Sequence, residues 1–598
     1  MWNNAFYSDL LELCRQEALD IRAKYAELYR IFLEILKEKT RDCSFDFSGP
    51  FARMDYLCKE LGYEEADYKR INALRAHCRS LHDANEAVLE KTFLQDMKAL
   101  SEFVSRLYQE KIPEELAACL PATYRYAVKS ASPLGTYLRI LVDSWDGEYI
   151  YGKTEAEETE FIQIRYRQTN YFGDWSYLQD LLMKGSQLNL IHPYRVQDDI
   201  YLAELMIFEP DYLIDVSAIA NCFEAYGCTP LTYLLNKIKP AANSRAILLG
   251  NFASQLLDEV VNEKNPDTPV PYADSVKRFF RENALKLVTC PDMDPSFHTD
   301  ARKQHEILED MIHEQFNQVC DLHLDRIILE PSFFCEMLGL QGRMDLLQED
   351  MRVLMEQKSG KREYGTNRHV EKHYVQMLLY LALLHYNYNL RNDEISSFLL
   401  YSKYEDGLMK EGPAPELLFQ SIEVRNRMVK QDLLCSEGGA ATLFDGLTPE
   451  DLNVRQIDNP LWKRYQQPQL ASLLEPIQQA SDLERAYFYR FFTFIEKEHI
   501  LSKVGTAEKE GSFATVWNNS LEEKKQTGDI FCDLEIISLE NSHEAAEGID
   551  RITLRIPEQE NNFLPNFRTG DVVILYAYPK DKEPDARKTI VHRCQVEA

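Results

Sequence analysis

The chain has 598 residues, 45% of them hydrophobic and 11% aromatic, and sets 97 Asp and Glu against 67 Lys and Arg for a formal charge of −30. That length is too great for one core and predicts roughly three to five domains; the composition excludes a disordered chain, and the acidity excludes a general nucleic-acid-coating or anionic-membrane-binding surface while leaving room for a local basic groove. The 13 cysteines never fall as C-x-x-C, and the closest pair is Cys222 and Cys228, a scatter that predicts reduced, buried thiols in a cytoplasmic protein.

In chain order, residues 1–135 carry long 3.6-period patterns such as SDLLELCRQEALDIRAKYAELYRIFLEILKEK, with Ser8 and Asp9 suited to start a helix. The segment opens with acidic residues and no basic run before an apolar stretch, so it is not a secretory signal, and no apolar run in the chain is long enough to span a bilayer. Its role is unknown; packing or partner docking is the expectation. Residues 136–215 turn to short β-rich runs (YLRILVDSW, EFIQIRYRQ, IYLAELMIFEP), which predict a small β-rich domain, barrel or sheet. Residues 216–440 mix helices with two short apolar strands, giving α/β or α+β character. Residues 441–528 hold the linker candidate DGLTPEDLNVRQIDNP and the aromatic-rich helix LERAYFYRFFTFIEKEHI, and residues 529–598 are again β-rich and suggest a small β-barrel. The fold class is therefore multidomain α/β.

The chemistry gathers in GLQGRMDLLQEDMRVLMEQKSGK, residues 339–361, where Asp345 and the trio Glu356, Gln357 and Lys358 end two apolar strands. Unpaired charge costs several kcal/mol in such a setting, so something must meet it. Residues i and i+2 of a strand share a face, so Glu356 and Lys358 point together while Gln357 turns away and offers its main-chain carbonyl. Asp345, Glu356 and that carbonyl are hard oxygen donors suited to Mg²⁺ or Mn²⁺, and Lys358 is placed to orient or help deprotonate an attacking water. Gly339, Gly342 and Gly360 would allow close backbone approach at turns. Several E-x-K triplets are expected by chance at this composition, so one alone carries nothing; the ordered set carries the signal. On the apolar helix HVEKHYVQMLLYLALL, Gln376 and Tyr380 lie one turn apart on a common face. Residues 358–373 hold Lys358, Lys361, Arg362, Arg368 and Lys372, with His369 and His373, against only Glu363 and Glu371, a local inversion of sign suited to a phosphate backbone.

The order G-x-x-G-R-x-D, E-Q-K, Q-x-x-x-Y resembles the PD-(D/E)XK nuclease superfamily in its RecB-like branch, and more narrowly the nuclease half of the nuclease-helicases that process flaps and resect DNA ends. FEPDYLIDVSAIANCF, SRAILLGNFASQLLDEVV, SFLLYSKYEDG, ELLFQSIEVRNRMV and FATVWNNSLEEKKQTGDIFCDLEI extend the resemblance over roughly residues 200–598. It implies metal on Asp345 and Glu356, water activation by Lys358, Gln376 and Tyr380 as a helix signature near substrate, and Glu330 as an outer or structural acid. It also implies roles in DNA replication and repair, single-stranded or flapped DNA as substrate, and a helicase motor as partner, in the same longer chain or as a separate protein.

Three departures stand out. Where the family commonly has a metal-binding histidine, Gly250 and Asn251 lead to Ser254; the site then works with fewer ligands, or Asp258 one turn on helps through water, or activity is reduced. Cys228 and Cys435 are the only cysteines near the family's iron–sulfur positions, so no cluster is expected. No G-x-x-x-x-G-K-[ST] P-loop occurs. His298, His305, His313 and His323 fit packing or solvated histidines better than zinc ligands, and no G-x-S-x-G elbow supports acyl transfer. The alternative function is a catalytically weak or inactive DNA-binding or scaffolding module of a helicase.

Overall fold

The computed structural model describes residues 2–16, 18–43, 49–79, 86–124, 136–155, 160–167, 174–197, 200–262, 271–320, 322–363, 366–505, 512–540, 549–557 and 565–597. They form a mixed α/β structure in two units, residues 1–212 with 495–524, and residues 213–494 with 525–598.

In the first unit the long amphipathic pattern resolves into two helices, Trp2–Arg15 and Ile21–Thr40. Ser8 and Asp9 fall inside the first; the capping residue is Asp20, whose carboxylate accepts from the Ala23 N–H at 2.8 Å and starts the second. Tyr25, Leu28, Phe32, Ile35 and Leu36 recur at three- and four-residue spacing and are buried against Phe93, Leu100 and Phe103 of helix Glu86–Tyr108. The β-rich run supplies strands β1 (Tyr137–Trp145), β2 (Tyr149–Thr154), β3 (Phe161–Arg165), β4 (Gln187–Ile191), β5 (Tyr194–Gln197), β6 (Ile200–Leu202) and β7 (Leu205–Phe208). They make one open sheet in the order β5-β6-β3-β2-β1-β4-β7. Leu141 of β1 joins the helical core, and Lys153 of β2 pairs with buried Asp55 at 2.6 Å, so sheet and helices share one interior.

The second unit begins with β8 (Ile214–Asp215), the two-residue pair β9 (Phe223–Glu224) and β10 (Gly227–Cys228), and helix Arg245–Val261. Then come β11 (Ile327–Leu329), β12 (Ser332–Cys335), β13 (Leu340–Arg343), β14 (Leu346–Gln348), β15 (Val353–Lys358), β16 (Ser396–Tyr401) and β17 (Leu408–Glu411). The central sheet runs β11-β14-β15-β16-β17, with β15 and β16 parallel and Glu356 opposite Leu399. Parallel neighbours need a long crossover, and helix Glu371–Tyr388 supplies it. On one face Val353, Met355, Phe398 and Leu400 pack against helices Arg245–Val261 and Ser296–Asp310. By strand alternation Leu354, Glu356 and Lys358 look the other way, toward the crossover helix.

The sequence expectation of a C-terminal barrel is not met: among the described residues no closed barrel forms. Strand β18 (Glu535–Glu540) pairs with β19 (Arg551–Arg555) in a two-stranded sheet, whereas β20 (Val572–Tyr576) and β21 (Val591–Gln595) extend a second sheet, β20-β21-β12-β13-β8. The cause is an open edge on β12, where Ser332 pairs with Val591, reinforced by the Arg587 ion pair to buried Glu336 at 2.9 Å. Among the described residues no helix is long and apolar enough to cross a membrane.

Candidate active site

The G-x-x-G segment is built around two later side chains. Gly339 has φ +63°, and any Cβ there would lie 2.3 Å from the guanidinium of Arg425, which is fully buried and donates from Nε to the Gly339 carbonyl at 3.2 Å. A Cβ on Gly342 would meet the Tyr380 ring at 2.6 Å, so a glycine lets that helix approach β13 closely. Gly360 has open space around it and no positive φ, so the role expected for it does not hold.

Asp345 lies between β13 and β14, and its Oδ2 accepts from the main-chain N–H of Gln357 at 2.7 Å. β14 stops pairing at Leu346–Met355, so beyond that point the Gln357 N–H on this side of β15 turns to the Asp345 carboxylate instead of a strand. The carbonyl of Gln357 shares the side of the strand taken by its N–H, and the Gln357 side chain turns away as expected, donating to the Ala253 carbonyl at 3.2 Å. Glu356 is 2% exposed. Its Oε1 accepts from Lys358 Nζ at 2.7 Å and Gln376 Nε2 at 2.6 Å, while its buried Oε2 has no hydrogen-bond partner. Lys358 Nζ also donates to Gln376 Oε1 at 2.9 Å. Two of its three N–H groups are thus spent and one is left. Gln376 Nε2 further reaches the Tyr380 hydroxyl at 3.3 Å, and Tyr380 donates to the Arg343 carbonyl at 2.6 Å. Gln376 and Tyr380 thus tie Glu356 and Lys358 to the end of β13.

Burial, and then the Asp345 carboxylate, push the Glu356 carboxyl up to about 8 despite Lys358. Burial also raises Asp345, against the pull of Lys358 and the Gln357 N–H. Asp258, on helix Arg245–Val261, is half-buried and pushed up to about 7 by burial and by Glu330 and Asp345, which places it in the same electrostatic neighbourhood. Ser254, one turn earlier, is exposed and bonds back to the Gly250 carbonyl at 3.3 Å. Glu330 adopts φ +51°, donates its N–H to the Asp345 carbonyl at 3.1 Å and pairs with Arg343 at 3.0 Å on the surface.

The four expected phosphate-binding cations divide. Lys361 and Arg368 are exposed. Arg362 is buried, held by Asp406 at 3.1 Å and Asn367 at 3.1 Å and lying over the Tyr404 ring, which makes it an anchor of the loop around Asp406. Lys372 is half-buried and pairs with Glu224 at 3.1 Å. Of the histidine cluster, His298 stacks on Phe280 and His305 packs tilted against Tyr272, which is packing.

Among the described residues no three His, Cys, Asp or Glu side chains gather as a metal site. Two acids nevertheless fit a divalent cation: the orphaned, buried Oε2 of Glu356 and the raised proton affinity of both carboxyls show positive charge wanting, and Gln357 adds a neutral oxygen donor.

Two carboxyls, that of Glu356 buried, and a main-chain carbonyl beside an ammonium group, gathered at the ends of neighbouring strands, form an acid–acid–lysine arrangement. The family model of the PD-(D/E)XK nuclease superfamily matches residues 222–485, so that stretch is a PD-(D/E)XK nuclease superfamily domain, of a superfamily whose members are generally nucleases. No curated protein matches the chain.

Proposed function

We propose that this protein is a Mg²⁺- or Mn²⁺-dependent deoxyribonuclease that cuts single-stranded or flapped DNA, in the RecB-like branch and as the nuclease part of a flap-processing, end-resecting nuclease-helicase acting in DNA replication and repair. The observation that carries the reading is the Asp345–Glu356–Lys358 group, with one carboxylate oxygen unpartnered. Asp345, Glu356 and the Gln357 carbonyl would hold the ion, which when bound lowers the pKa of water and neutralises phosphate charge. Lys358, fixed by Glu356 and Gln376, keeps one N–H for the attacking water or a phosphate oxygen. Gln376 and Tyr380 hold that geometry against β13. Lys361 and Arg368 are the cations free to meet the phosphate backbone. The 13 free thiols fit a cytoplasmic protein.

The test is end-labelled single-stranded, flapped and duplex DNA incubated with the protein and Mn²⁺ or Mg²⁺. Cleavage of the first two substrates, abolished by EDTA, is expected. Tight binding with no cleavage would favour the scaffolding reading, which the exposed Ser254 in place of a histidine supports.

A further inference from the structure

His373 lies in a hydrogen-bonded arrangement that the acid–lysine site does not use. The main-chain N–H of Val370 donates to the Tyr401 hydroxyl oxygen at 2.9 Å, and that hydroxyl lies 3.0 Å from His373 Nδ1. Tyr401 is fully buried, and burial pushes its hydroxyl up to about 12, so it keeps its proton. With the oxygen accepting from Val370, the geometry allows the phenolic proton to be directed at Nδ1. An imidazole that accepts at Nδ1 carries its own proton on Nε2.

The ring is also held neutral. Burial first, then the positive charges of Lys358, Lys372 and His369, push His373 down to about 3. The groups around it are Lys358 on β15, Tyr401 on β16, and Lys372 and His369 on or beside its own helix, with His369 tied to Glu411 of β17 at 2.5 Å. Among the described residues nothing bonds to Nε2, and the residue is half-buried, so the N–H is open to an incoming group. His373 stands three residues before Gln376, on the same helix face, and Gln376 touches Lys358. A histidine that merely filled space against Tyr401 would not need this relay. A neutral donor beside Lys358 offers a hydrogen bond without adding charge that would repel a cation on the neighbouring acids, while the surrounding lysines attract an anion.

We propose that His373 is a positioning residue whose Nε2–H donates to a backbone phosphate oxygen of the bound strand next to Lys358; the inference rests on the nuclease reading of the same site.

The test uses the full chain and a labelled single-stranded oligonucleotide, with affinity read by anisotropy in Ca²⁺ and the ring read by ¹⁵N-histidine NMR. The wild type should show an Nε2–H tautomer that does not titrate between pH 5 and 8. His373→Ala should weaken binding about tenfold, as loss of a hydrogen bond to a charged group implies, and His373→Gln, which can place an N–H near Nε2, should recover most of it. Tyr401→Phe removes the hydroxyl beside Nδ1 but leaves burial and the neighbouring positive charges, so the ring should stay neutral and lose its single fixed tautomer. An Nδ1–H tautomer, titration of the wild-type ring near 6.5, equal losses in the Ala and Gln variants, or wild-type affinity in His373→Ala would overturn the proposal, as would a wild type that binds no DNA. A wild type that binds but never cuts, with the Ala and Gln pattern intact, would defeat the nuclease reading and leave His373's role standing.

Discussion

Glu356→Ala is expected to slow single-turnover cleavage of single-stranded DNA by about 10²- to 10⁴-fold while changing DNA affinity by no more than a few-fold. The substitution removes one of the two acids proposed to hold the ion, and with it the partner that fixes Lys358 Nζ at 2.7 Å. Lys358→Ala should fall in the same range, because Lys358 and Glu356 share Gln376 as a common clamp. Groups that act as a unit are not additive, so the double variant should be scarcely slower than either single one. Single-turnover rates with labelled DNA measure all three; multiplication of the two losses in the double variant would show that the residues act separately.

The second large effect is on stability in the absence of metal. Glu356 titrates at about 8 in the fold against an ordinary 4.5, and Asp258 at about 7 against 3.8. Both values are raised, so the native state binds these protons more tightly than the unfolded chain does. Their contribution is fully present below the ordinary carboxylate range and is lost as pH rises through about 8. In EDTA the melting temperature should therefore fall between pH 5 and pH 8. Glu356→Gln, which keeps the shape without the ionisation, should flatten that slope and raise the melting temperature at pH 8. Mn²⁺ should restore the wild type most at pH 8, by about 2.7 kcal/mol at one hundred times its Kd, and should leave Glu356→Gln nearly unmoved. A wild-type melting temperature that holds or rises over this range in EDTA, with the same slope in the Gln variant, would contradict the buried-acid account.

The parts of the site legible in the sequence are those fixed by local period. Alternation along Val353–Lys358 sends Glu356 and Lys358 to one face and Gln357 to the other, and the one-turn spacing of Gln376 and Tyr380 puts both on the helix face that meets them. Contacts between distant segments were not legible. Four cations in one basic stretch look alike, yet Arg362 is taken by Asp406 and Lys372 by Glu224, partners 44 and 148 residues away. Gly342 reads as a turn glycine, but it is required by the Tyr380 ring. Strand β21 reads as part of a separate barrel, and only the open edge of β12 explains where it pairs. The Val370–Tyr401–His373 relay likewise depends on the parallel pairing of β15 and β16 across the crossover helix.

The most direct measurement is a crystal structure in Mn²⁺ with anomalous data. The account predicts a peak on the order of 2 Å from carboxylate oxygens of both Asp345 and Glu356, with the Gln357 carbonyl as a further ligand and Lys358 alongside. No peak there at saturating Mn²⁺, or a refined structure in which the two carboxylates diverge, would contradict it.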